Sequence, residues 1–341
     1  MEEANSVIMA TIPKGSTVLV TGVNGFIASH VADQLIQAGY HVRGTSRSKS
    51  KADFLYERFD KLYGEGKFKC VEVPDMVADK AFDDAVKGVS GICHLASILT
   101  FSNVTEDVVP PTVKGTLNIL TSASKEPSVK SIVYTSSSTA ALLPCPNKEI
   151  LVTKDTWDDE AVSIANSPNP DAFSVYGASK TEAERAFWKC IKETKAPFQA
   201  AAVLPNANFG PILRPGGETG SSTGSWPIGV MNGDTSNLET PPQWFVDVRD
   251  DARLHVAALI DPECDGQRIF AFAAPYNWTQ ILSILKEQNP GKDLPDPPKD
   301  EGKDLCKIPN EDAEALLKKH FGHGWISLAE SLKANTAGIK A

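Results

Sequence analysis

The chain has 341 residues, 41% of them apolar and 23% charged, with a net charge of −9 at neutral pH. That length allows one large domain or two modest ones, and the acidic balance argues against a nucleic-acid surface. No apolar run reaches the length of a membrane span, and the acidic start Met1-Glu-Glu-Ala-Asn-Ser6 reads as neither a secretory nor a mitochondrial signal. The six cysteines (70, 93, 145, 190, 264 and 306) are scattered without a Cys-x-x-Cys pair and read as reduced thiols. A cytoplasmic location follows as the expectation.

The first predicted strand, 17–21, runs directly into Gly22-Val-Asn-Gly25-Phe-Ile-Ala28 and then a helical stripe of Ile27, Val31 and Leu35 that Gly39 can end. A strand turning sharply into a helix aims backbone N–H groups and the positive end of the helix dipole at one place, which suits a pyrophosphate. Gly22 permits the tight turn, Gly25 lets phosphates approach the backbone, and Ala28 lets helix and strand pack closely.

The second strand, 40–46, ends where a fold selective for NAD would carry an acid to hold the ribose hydroxyls. Arg43 to Lys51 instead holds four cations (Arg43, Arg47, Lys49 and Lys51) and no acid. Arg47, with Lys51 behind it, is therefore the candidate for an adenosine 2′-phosphate, which favours NADPH/NADP over NAD. A merely solvated basic loop is the plain alternative.

Further strands are expected at 68–73, 91–96, 131–136 and 199–204, with helices at 112–124 and 178–194 among those between them. Strands alternating with helices predict a doubly wound parallel α/β sheet covered on both faces. The Gly/Pro/Ser/Thr-rich stretch 210–242 reads as a long functional loop. A strand near 244–248 and a helix near 250–260 follow. The tail holds short strands, a Pro-rich linker at 290–299 and helices near 310–319 and 326–334. The expected division is a dinucleotide-binding domain over 14–204 and 236–262, with a smaller, mainly C-terminal substrate lobe over 205–235 and 263–341.

Chemistry concentrates in Ser174-Val-Tyr176-Gly-Ala-Ser-Lys180 at the start of a helix. Residues four apart share a helical face, so the Lys180 ammonium can sit beside the Tyr176 phenol. Lowering a phenol pKa from ~10 by ~3 units takes about 4 kcal/mol, which a cation about 4 Å away could supply at an effective dielectric near 20. The strand ending Thr135-Ser-Ser137-Ser138-Thr139 should present hydroxyls at the carboxyl edge of the sheet, where ligands lie. At least one of them is expected only to form turns or caps.

These segments resemble the short-chain dehydrogenase/reductase superfamily in its extended branch. Within that branch they are similar to the fungal and yeast NADPH-dependent aldehyde or ketone reductases related to plant dihydroflavonol reductase. The resemblance spans nearly the whole chain and rests on Thr21–Ala28, Val42–Arg47, His94–Ser97, Tyr134–Ser137, Tyr176–Lys180, Val203–Asn206 and Phe245–Asp250. It implies a Rossmann fold and hydride transfer from a nicotinamide to a carbonyl carbon. Tyr176 would be the general acid, Lys180 would lower its pKa and hold the nicotinamide ribose, and Ser137 would bond the substrate oxygen. The triple serine leaves Ser138 open as the alternative.

For the cofactor, the resemblance places Phe26 and Ile27 at the pyrophosphate turn, Arg47 at the 2′-phosphate and Asp75 and Met76 beside adenine. Leu95, Ala96, Ser97 and Thr135 would line it, with Pro205 and Asn206 near the carboxamide. No metal is expected, since the only close histidine pair, His320 and His323, has no cysteine nearby.

The extended-branch substrate site would draw on Ile98, Phe101, Trp226, Gln243, Trp244 and Phe245. That aromatic, uncharged set suits an aldehyde, ketone or ketoester and not a nucleotide sugar. Two other readings remain: a nucleotide-sugar epimerase or dehydratase, and a regulator that senses a dinucleotide without turning it over. Monomer and homodimer both fit the sequence.

Overall fold

A computed structural model of the chain describes residues 10–217 and 222–338. The amino-terminal residues read above for targeting lie outside them. The central sheet holds seven parallel strands. Six are β1 (Thr17–Thr21), β2 (His41–Ser46), β3 (Phe68–Glu72), β4 (Gly91–His94), β5 (Ser131–Thr135) and β6 (Gln199–Pro205), and β9 (Arg268–Ala271) is the seventh, in the order β3-β2-β1-β4-β5-β6-β9. The order reverses between β1 and β4, so a crevice opens beyond their carboxyl ends.

Side-chain alternation explains why both faces are covered. Val18 and Val20 of β1 enter one core layer with α1 (Phe26–Gln37) and α7 (Val248–Ile260), while Leu19 enters the other with Ile92 and Ile132. The first layer also receives Leu55 and Phe59 from α2 (Asp53–Tyr63). The second receives Ile119 and Leu120 from α3 (Thr105–Lys125) and Ala183 and Phe187 from α5 (Ala172–Thr194). Between α3 and α5 lies the short α4 (Asp159–Ala165).

Two helices start earlier than the sequence pattern predicts. α3 runs through Pro110 and Pro111, because Val108 is buried and holds the first turns in place. α5 begins at Ala172, where the Asp171 carboxylate accepts the N–H groups of Phe173 and Ser174.

A second sheet of three strands lies on the other side of the crevice. β8 (Gln243–Asp247) is its middle strand, parallel to β7 (Ala207–Phe209) and antiparallel to β10 (Ala274–Tyr276). Its core holds Phe209, Phe245, Tyr276 and Trp278, closed by α6 (Trp226–Met231), α8 (Trp278–Gln288) and α10 (Leu328–Thr336).

The sequence-based boundaries change accordingly. β8, expected in the dinucleotide-binding part, belongs to the small sheet. Arg268–Ala271, expected in the substrate lobe, completes the large one, and α9 (Glu311–Phe321) packs on α7 beside it. α8 has no counterpart among the predicted elements; Asn277 caps it, and Trp278, Ile281, Leu282 and Leu285 form its buried stripe.

Candidate active site

The turn after β1 is built to receive an anion. Gly22 has φ +65°, and a Cβ there would lie 3.3 Å from the Ala96 backbone, so no other residue fits without strain. Thr21 Oγ1 accepts the N–H groups of Leu95 and Ala96, each at 2.9 Å, which fixes the β4 exit against the turn. Gly25 caps α1 with no side-chain bond, and the first turn holds no acid. The leading N–H groups of this helix are therefore served by no side chain of their own, which fits a diphosphate. The Ser97 hydroxyl, buried on the same wall, likewise has no partner.

From this turn a cleft of about 850 Å³ runs between the two sheets. Gly22, Gly25, Phe26, Ile27, Leu95, Ser97, Thr135, Pro205 and Asn206 line it, as do Ser137, Ser138, Tyr176 and Lys180. The structure thus brings most of the expected cofactor residues and all of the expected catalytic ones to one cavity. The others lie apart from it. Arg47 and Lys51 are exposed just past the end of β2, and Asp75 is exposed with its carboxylate accepting Val77 N–H. Met76 is wedged against Gly115 of α3, where a Cβ would clash with its Cε. Ala96 backs the Gly22 turn instead of lining the cleft.

The hydroxyl pair shows how the Ser and Tyr could work together. Ser137 Oγ accepts from Thr139 N at 3.2 Å and from Thr139 Oγ1 at 3.0 Å. With these acceptor sites engaged, the Ser137 hydroxyl is left to act as a donor. The Tyr176 ring lies between Phe101 and Phe173, with centroids 5.3 and 6.4 Å away. Burial raises the phenol pKa, and the neighbouring Ser137 side chain opposes that rise.

Lys180 reaches back to the strand that leads into Ser137. Its Nζ donates to the Thr135 carbonyl oxygen at 3.2 Å, 6.0 Å from the centre of the Tyr134 ring. Burial pushes the ammonium down to about 8, against the pull of Glu184 one turn on. Burial thus acts on the two groups in opposite directions, raising the phenol and lowering the ammonium, each toward its uncharged form.

On the substrate side, Phe101, Trp226 and Gln243 line the cleft as expected, joined by Leu99, Phe173, Asn208, Thr223 and Thr240. Three expected residues do not. Ile98 packs with Val108, Val175 and Ala178 in a small separate core. Trp244 packs against Phe272 at 6.0 Å and borders, with Asn206 and Gln243, a small pocket beside the cleft. Phe245 is 1% exposed in the core of the small sheet. Each is an aromatic or aliphatic residue whose facing the local sequence does not reveal.

The model of the NAD dependent epimerase/dehydratase family matches residues 18–270. The chain belongs to this family. Similar curated relatives include Aldehyde reductase 2 of Sporidiobolus salmonicolor, 41% identical over 95% of this chain and 96% of that protein. Ketoreductase adrE of Penicillium rubens is 40% identical over 96% of this chain and 97% of its own. Among solved structures, the yeast methylglyoxal/isovaleraldehyde reductase Gre2 complexed with NADPH aligns with a TM-score of 0.81 at 27% identity, covering 94% of this chain and 97% of that one.

This epimerase/dehydratase-family chain also contains supporting residues that sequence reasoning missed. Glu184, fully buried, accepts from Arg268 Nε at 2.7 Å, Ser136 Oγ at 2.6 Å and Trp188 Nε1 at 3.0 Å. The network ties β9 to the serine turn. Glu184 lies four residues beyond Lys180 on the same helical face, a spacing that could have drawn attention to it. His255 stands behind Thr135, with Nε2 2.7 Å from Thr135 Oγ1 and Nδ1 2.8 Å from the Asp251 carbonyl.

Proposed function

We propose that this chain is an NADPH-dependent reductase of aldehydes and ketones, ketoesters included, with Tyr176 as general acid. One observation carries the reading: Ser137, Tyr176 and Lys180 share a single cavity with an uncapped glycine turn. The relatives named as aldehyde reductase and ketoreductase support the same activity. A cofactor carrying a 2′-phosphate is favoured by Arg47 and Lys51 just past the end of β2, a segment that carries no acid of its own, with Glu72 of β3 engaged by the Lys49 N–H.

NADPH, when bound, supplies the hydride. The chain supplies orientation and the proton. Ser137 donates to the carbonyl oxygen of the substrate and fixes its position against Tyr176. As the carbon gains hydride, the Tyr176 hydroxyl gives its proton to that oxygen and an alcohol forms. Lys180, the one cation among the described residues lining the cleft, offsets the charge left on the phenol oxygen. Ser137 takes this role in preference to Ser138 because its bonds from Thr139 leave its hydroxyl to act as a donor and its side chain adjoins the phenol.

Leu99, Phe101, Phe173 and Trp226 give the substrate end an apolar wall, and Gln243 adds a polar group able to orient an ester or second carbonyl. The substrate is a small molecule, not a nucleic acid. The enzyme acts in the cytoplasm, a reading supported by six cysteines that all remain thiols. Among the described residues no helix is long and apolar enough to cross a membrane. The reading is tested by following NADPH and NADH oxidation with aryl ketones, ketoesters and short dicarbonyls. NADPH should be preferred and at least one apolar carbonyl turned over. Failure of the whole panel, or a preference for NADH, contradicts the reading.

A further inference from the structure

The loop leaving the small sheet returns to the nucleotide turn. His30, buried in α1, donates from Nε2 to the Pro211 carbonyl oxygen at 2.8 Å. Three residues on, Arg214 Nη2 donates to the Asn24 carbonyl oxygen at 3.1 Å, and its guanidinium lies 4.7 Å from the centre of the Phe54 ring. Asn24 stands inside the turn, between Gly22 and Gly25. Its Oδ1 accepts from Ser46 Oγ at 2.8 Å, and Ser46 is the last residue of β2, directly before Arg47. Phe54 belongs to the first turn of α2.

The guanidinium therefore lies where three segments meet: the glycine turn, the end of β2 and the start of α2. In a doubly wound sheet this junction faces the adenosine ribose of a bound dinucleotide. The Phe54 ring beneath the guanidinium holds it at this junction by a cation–π contact. With five N–H donors, a bond to Asn24 and a bidentate phosphate contact are compatible.

We propose that Arg214 is a phosphate-binding residue that acts with Arg47 and Lys51 to select the 2′-phosphate of NADPH. The selecting charge then comes partly from the segment that follows β7, far in sequence from the end of β2. This inference rests on NADPH being the cofactor.

The test is equilibrium binding of NADPH, NADH and 2′,5′-ADP, read by fluorescence or calorimetry, to wild type, Arg214→Gln and Arg214→Lys. Melting curves of each protein without ligand serve as a fold check. The expected result is a dissociation constant for NADPH and 2′,5′-ADP raised about tenfold or more in Arg214→Gln, equivalent to about 1.4 kcal/mol. NADH binding should change less than twofold, and Arg214→Lys should fall between. Should Arg214→Gln fail to fold, Arg214→Lys alone must still weaken NADPH more than NADH. Equal weakening of NADPH and NADH assigns Arg214 to the diphosphate or to a loop tether and overturns the proposal, as does no change. A wild type that does not favour NADPH over NADH removes the cofactor reading and this inference together. A wild type that favours NADPH, with the preference intact in Arg214→Gln, removes only this inference.

Discussion

Lys180 Nζ donates to the main-chain oxygen of Thr135 at 3.2 Å. The bond joins the helix that carries Tyr176 to the strand that leads into Ser137. Thr135 is held in turn through its hydroxyl by His255 of α7. The phenol and the serine are thus located by one buried polar chain at the carboxyl end of the sheet.

The charge on Lys180 should make reduction sensitive to alkaline pH. Burial sets the Lys180 ammonium at about 8, so it is charged below that pH and neutral above it. Loss of the charge removes the offset for the phenolate left after proton donation. The kcat/KM for reduction should fall as pH rises through about 8, and Lys180→Met should lower activity and abolish that limb. A wild-type profile flat from pH 7 to 10 contradicts this role.

Acid stability should depend on two buried histidines. Desolvation lowers His30 to about 4 and His94 to about 3, so both are neutral in the folded chain while an unfolded histidine protonates near its ordinary value. Their contribution is complete above about pH 6.5 and is lost as pH falls toward the folded values, on the order of 2–3 kcal/mol per histidine by pH 4.5. Thr21 Oγ1 already accepts two backbone N–H groups, so its hydroxyl donates to His94 Nδ1 at 3.0 Å. Urea unfolding at pH 7 and pH 4.5 should show a smaller pH dependence in His94→Gln than in wild type. An unchanged slope counts against the assignment.

Arg268→Met should destabilise the fold by about 3–5 kcal/mol, because it strands a fully buried carboxylate. Glu184 would keep its Ser136 and Trp188 donors but lose the guanidinium that bonds both of its oxygens. Chemical denaturation measures this directly, and a loss under about 1 kcal/mol would show that the pair is not needed.

Gln243→Leu should alter substrate preference or the stereochemical outcome of reduction while NADPH affinity stays as in wild type. The side chain is 7% exposed and lines the cleft from β8. Product analysis with a prochiral ketoester checks it, and an unchanged product ratio removes Gln243 from substrate recognition.

β1, β4, β5 and β6 were legible as mostly apolar runs and β2 and β3 as shorter mixed ones, and the candidate catalytic pair because Tyr176 and Lys180 stand at helical spacing. β9 was not, since its four residues begin with a charged arginine whose partner, Glu184, lies 84 positions away in the chain. The same blindness to long-range partners misplaced Ile98, Trp244 and Phe245. All three are apolar, and only the assembled fold decides which apolar side chains face the cleft. Arg214 was hidden in a Gly/Pro-rich loop without periodicity, where no local pattern points back to a turn 190 residues earlier.

The central claim is that the Tyr176 hydroxyl delivers the proton to the carbonyl oxygen. Single-turnover oxidation of bound NADPH by an apolar ketone, compared between wild type and Tyr176→Phe, tests it most directly. The account predicts a rate lower by about 10²–10⁴-fold in the variant, with NADPH bound as tightly as in wild type. A variant that oxidises NADPH at the wild-type rate would contradict it.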